Sequence, residues 1–162
     1  MPGHQFYKKH TMPEPPFDVA KAHRWFAIEF NNQTWELIEK PARTPDESQQ
    51  MIHLAHAALL HWQTAGTALN AERAECLLAT AYAACGDSPA AVRHAERCLS
   101  LSVQNVAEET PFDRASALGC AASAHRLAKN VAQAERLRTL SETAAAALDA
   151  DDRQVFDKLY AK

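Results

Sequence analysis

Glycine is scarce in this chain of 162 residues; Gly3, Gly66, Gly86 and Gly119 are the whole supply. A β-sheet protein of this length needs more turn glycines, so a strand-rich fold is a poor fit. Aromatic residues are scarce too, at 7% against a hydrophobic content of 47%. The apolar content is therefore largely alanine, the strongest helix former, whose small side chain also lets helices approach closely. No lysine- or arginine-rich stripe stands against the net charge of −3, which argues against a nucleic-acid partner. No stretch approaches the roughly 18 apolar residues of a membrane span. The opening MPGHQFYKKHTMPEPPF lacks the apolar core of a signal peptide and reads as a flexible, proline-rich arm over 1–16. A cytoplasmic protein with no membrane partner is the expectation. The chain has no phosphate loop, no G-x-G-x-x-G, no G-x-S-x-G and no H-E-x-x-H, so neither an enzyme class nor a cofactor is implied. Its four cysteines, Cys76, Cys85, Cys98 and Cys120, include no C-x-x-C pair and lie among apolar residues in helical pattern. They are expected to be buried, reduced and packed as small hydrophobes.

Helix punctuation, by contrast, is abundant. Asp18 can cap a first helix over about 18–39, where Val19, Ala22, Phe26 and Phe30 form an apolar stripe widened by Trp25, Ile28, Trp35 and Ile38. Thr44-Pro45-Asp46-Glu47 is a capping box with proline at the first helical position; it opens a second helix, to about Thr64 before Gly66. Asn70 is the expected cap of a third helix, about 71–85, ended by Gly86. Asp87-Ser88-Pro89 starts a fourth, to about Val103. Thr110-Pro111-Phe112-Asp113 starts a fifth, to about Lys129. Asn130 with Gln133 offers a capping box for a sixth, to about Leu148, and a short last helix ends near Tyr160. Short connections make three successive antiparallel pairs over 17–162, with one helix left over to cover the last pair.

The stretch Glu72 to Leu101 resembles a tetratricopeptide repeat. Leu78-Ala79, Tyr82, the Gly86-Asp87 turn, and Ala91, Cys98, Leu99 and Leu101 fall at the repeat's small, aromatic and aliphatic positions. Glu75 and Ala95 depart from it, standing where the repeat carries aromatics. A looser copy from about Phe112 puts His125 in the tyrosine place, about 43 residues on rather than about 34. From residue 18 onward the chain also resembles a bacterial family of tetratricopeptide-like proteins that has no activity to carry over. The matching segments are Phe30-Asn31-x-x-Thr34-Trp35, Arg43-Thr44, Ala55-His56, His61-Trp62, Gly66-x-x-x-Asn70-x-x-Arg73 and Asp151-Asp152-Arg153. The resemblance implies an all-α, right-handed array of about three helix pairs plus a C-terminal capping helix.

Two sets of residues are candidates for a site. The helix at 45–64 reads as apolar nearly all round, hence buried on more than one side, yet contains His53, His56 and His61. His53 and His56 lie about 60° apart and are candidate metal ligands, with a third to come from His23 or Glu29; His61 is about 12 Å along the axis from His53 and cannot join them. The alternative for these histidines is plain hydrogen bonding at a helix interface, with Asn31, Thr34 and Arg73 as partners. Trp25 and Trp62 read as core. Trp35, accompanied by Asn31 and Thr34, reads as the wall of a pocket. On the concave side, Arg73, Thr80 and Ala83, with Ser116, Gly119, Ser123 and Arg126, would leave a groove in which Arg73 and Arg126 can meet a carboxylate. The function expected is therefore a non-catalytic binding module for a protein or peptide, with self-association through an apolar helix face as a variant. The alternative is a small-ligand or metal site between the first three helices, near Trp35, His53 and His56.

Overall fold

The computed structural model describes residues 13–160, and within them the chain is all helix, with no strand. Seven helices follow in order: α1 Val19–Glu39, α2 Pro45–Ala65, α3 Ala68–Ala84, α4 Ser88–Gln104, α5 Pro111–Leu127, α6 Val131–Ala145 and α7 Ala150–Tyr160. Among the described residues, none is long and apolar enough to cross a membrane. The expected arm at 1–16 lies outside the described residues as far as position 12.

The helix starts follow the capping chemistry. Asp18 accepts from the Lys21 backbone N–H at 3.0 Å. The capping boxes of Thr44 with Glu47 and of Thr110 with Asp113 both close reciprocally. Four expectations need correction. Thr67, not Asn70, caps α3, which starts three residues early because Asn70 sits at N3 and its Oδ1 accepts from the Thr67 N–H at 3.0 Å. Asn130 makes no side-chain cap bond, so the box with Gln133 does not form. Helix α6 also stops at Ala145, short of Leu148, and α5 stops at Leu127 because Lys129 turns into the left-handed region at φ 60°. Gly86 makes the equivalent turn after α3 at φ 77°, as glycine does without steric cost.

The helices pack in consecutive pairs, α1 along α2, α3 along α4 and α5 along α6, with α2 against α3 and α4 against α5 joining the pairs. Alternate helices α1, α3, α5 and α7 also touch in succession and form one side of the stack. Alanine fills the seams: Ala55, Ala58, Ala81, Ala91, Ala95, Ala115, Ala121 and Ala124 are fully buried. Their small side chains bring helices close enough for the larger Met51, Leu77 and Leu78 to be sealed from water. Each such large side chain contributes about 1.5–3 kcal/mol.

Helix α7 does more than cover the last pair. Phe156 is buried with Ala115 and Ala145, and the Tyr160 ring lies on Gly119. The far end of α7 reaches α3, where the Tyr160 hydroxyl is 3.6 Å from the Cys76 sulfur. It reaches α1 as well, where Lys158 Nζ is 2.7 Å from Glu39 Oε1.

Candidate functional site

The side of the stack built by α1, α3, α5 and α7 carries two concavities. The more apolar one, of about 410 Å³, lies between α1, α3, α5 and α7. Its apolar wall includes Trp35, Phe112, Leu159 and Tyr160; Asn31, Arg73 and Ser116 supply polar atoms. The second, of about 380 Å³, lies between α5, α6 and α7 around Ser123, Arg126 and Arg138. Tyr160 borders both and divides them.

Arg73 and Asp113 set the electrostatics of the first pocket. Arg73 Nε and Nη2 donate to the two Asp113 oxygens at 2.8 and 2.9 Å. Burial pushes the Asp113 carboxyl up, but the bonds from Arg73 and from the Thr110 hydroxyl and backbone outweigh it, leaving the pKa below its ordinary value. Arg73 is thus already engaged with a carboxylate of the chain itself. Next to it, Glu72 is pushed up to about 7, chiefly by burial; Asn105 Nδ2, donating at 2.9 Å, opposes this, and the neighbouring Glu109 and Asp113 charges add to it. Ser116 is buried, and its hydroxyl has no hydrogen-bond partner. An orphaned hydroxyl on a pocket wall is an available donor and acceptor for a ligand.

The sequence-level candidates separate in space. Asn31, Trp35 and Arg73 meet in the pocket. Thr34 is buried beside them but donates to the Phe30 carbonyl of its own helix at 2.6 Å, and Thr80 likewise donates to the Cys76 carbonyl at 2.9 Å. Arg126 lines the second concavity. The histidines lie elsewhere. Helix α2 buries only the row Met51, Ala55 and Ala58, so His53 and His56 are exposed and the expectation of burial on several sides fails. Ile52, Leu54, Ala57 and Leu59, which made α2 look apolar all round, flank that row half-covered, and Leu60 is exposed. His56 Nε2 is 2.8 Å from the Tyr82 hydroxyl, and burial of its ring with the nearby His94 holds its pKa below the usual histidine value. His61 Nδ1 is 2.8 Å from His23 Nδ1, against Phe26 and Phe30. Among the described residues, none of the expected partners Asn31, Thr34 or Arg73 bonds a histidine. Among the described residues, His53 and His56 gather no third metal-ligand side chain. Trp25 is also not core; with Ile28 it stands on the exposed side of α1.

One constellation had no signal in the sequence. Cys76 on α3, Cys98 on α4 and Cys120 on α5 are free, buried, and place their three sulfurs within 4.8 Å of one another. Cys85, expected to be buried with them, is exposed at the end of α3. Hydrogen bonds from Cys120, Cys98 and Tyr160 bring the Cys76 thiol well below the usual range, while Cys98 and Cys120 are pushed well above it.

No known family model matches the chain. No curated protein and no solved structure is similar enough to count as a match.

Proposed function

We propose that the chain is a non-catalytic, tetratricopeptide-like binding module that takes a protein or peptide partner on the side formed by α1, α3, α5 and α7. Support comes from what the chain itself lays there. Helix α7 is an amphipathic segment that docks on α5 by inserting Phe156 and Tyr160, one turn apart, with Lys158 reaching Glu39 at the rim. A surface that seats a helix by aromatic anchors and a peripheral ion pair has the chemistry of helix-in-groove recognition. The adjoining pocket at Trp35 and Phe112 continues the same side and has room for a further apolar side chain of a partner.

A small ligand is the second reading, and the Ser116 hydroxyl favours it. An unsatisfied buried donor on the wall of a cavity of about 410 Å³ suits a compact molecule with one polar group.

A photo-reactive phenylalanine at Trp35, with a control at the exposed Val103 of α4, separates the two. Covalent adducts of polypeptide mass from Trp35 and not from Val103 support the peptide partner. A small bound mass in native mass spectra, lost on Ser116→Val, supports the small ligand and counts against the first reading.

A further inference from the structure

The three buried thiols are arranged in a chemically specific way. Cys76, Cys98 and Cys120 come from three different helices, yet their sulfurs converge within 4.8 Å. Burial of small hydrophobes does not require sulfurs to face one another; alanine fills most other seams of this core. Around a tetrahedral zinc ion with Zn–S of about 2.3 Å, sulfurs stand roughly 3.8 Å apart. The cluster needs at most about 1 Å of contraction to reach that spacing. Such a shift is within the reach of cysteine rotamers on packed helices.

From this geometry we propose that Cys76, Cys98 and Cys120 form a three-thiolate site for a zinc ion whose fourth position opens toward the pocket at Trp35. Two of the ligands, Cys76 and Cys98, line that pocket, which gives the ion a route in and the fourth position a route to solvent or ligand. Three protein ligands with one open position is the arrangement of zinc sites that exchange a bound molecule, in contrast to closed structural sites with four. No fourth protein thiolate or imidazole stands with the cluster among the described residues.

The surroundings fit the charge. Three thiolates and Zn²⁺ carry a net −1. The Tyr160 hydroxyl, 3.6 Å from Cys76 Sγ, can donate to a thiolate. Loading moves protons only: each of three Zn–S bonds replaces an S–H bond or an existing thiolate, and the released protons pass to buffer. Ser116 adds an independent sign of a ligand. It is 8% exposed and its hydroxyl is unpartnered, and its carbonyl lies 3.9 Å from Cys76 Sγ. A water or ligand on the open zinc position would bring a hydrogen-bonding group into that pocket.

The site stands independently of the peptide reading, since metal uptake needs no partner. Its test is an anaerobic titration of the fully reduced, full-length chain with Co²⁺. One equivalent is expected to bind with an intense sulfur-to-cobalt charge-transfer band and the visible bands of a four-coordinate ion, all displaced by one equivalent of Zn²⁺. Cys98→Ser and Cys120→Ser are each expected to weaken binding by more than about 100-fold, beyond what loss of an outer-shell partner costs. Cys85→Ser is expected to leave it unchanged. The wild-type spectrum reports the sulfur ligands directly, so the test stands even where a cysteine variant loses its helicity. Binding without the charge-transfer band, binding that survives Cys98→Ser, or no binding at all would overturn the proposal.

Discussion

The Tyr160 ring rests on the Gly119 backbone; a Cβ built on Gly119 would lie 2.7 Å from the ring's Cγ. The contact explains why α5 carries a glycine in mid-helix, where it costs about 1 kcal/mol relative to alanine. Gly119→Val is expected to lift the end of α7 and destabilise the fold by about 1–3 kcal/mol. Hydrogen exchange over 150–160 checks it; those amides should exchange faster while those of α1 and α2 are unchanged.

Arg73 and Asp113 tie α3 to the start of α5, and the carboxylate is the more buried partner. Arg73→Ala leaves Asp113 with only its capping bonds from Thr110. A loss of about 1–3 kcal/mol is expected, less than for a fully buried pair because Arg73 is half exposed. In a double-mutant cycle with Asp113→Asn, the two losses should be clearly non-additive.

Glu72 gives the fold a pH dependence of defined sign. Its pKa is raised from an ordinary 4.5 to about 7, so the folded chain holds this proton where the unfolded chain has lost it. Its contribution is fully present below about 4.5 and is lost as pH rises through about 7. Glu72→Gln keeps an acceptor for Asn105 and removes the charge. It is expected to stabilise the chain by on the order of 1–3 kcal/mol at pH 8 and to have little effect at pH 4.5. Denaturant melts at the two pH values measure the difference.

Lys129 occupies the left-handed turn after α5 that Gly86 occupies after α3. Lys129→Gly is expected to stabilise by about 0.5–1 kcal/mol, relief of the side chain's steric penalty exceeding the added entropy of the unfolded chain. A rise of a few degrees in Tm would show it.

Helix starts were legible because Asp18, Thr44 and Thr110 cap through neighbours in sequence, and local chemistry decides them. The start of α3 was misplaced because Thr67 and Asn70 are both capping residues, and only the reciprocal bonds between them show which is N-cap. The end of α6 was overrun because Ala144 to Leu148 contains no breaker. Half of the site was legible: Asn31 and Trp35 stand one turn apart on α1, and Arg73 falls at a concave-side position of the repeat-like α3. His53 and His56 were drawn toward the core because the half-covered Ile52, Leu54 and Leu59 and the exposed Leu60 cannot be told by type from fully buried residues. The meeting of Cys76, Cys98 and Cys120 depends on three helix–helix registers, which no spacing along one helix encodes.

The most direct measurement of the binding account is hydrogen exchange of the full chain with and without the segment captured at Trp35. Slowing of amides around Trp35 on α1, Cys76 on α3 and Ser116 on α5 is the predicted result. Slowing confined to α2 and α4, or to the exposed Trp25 and Ile28 side of α1, would contradict it.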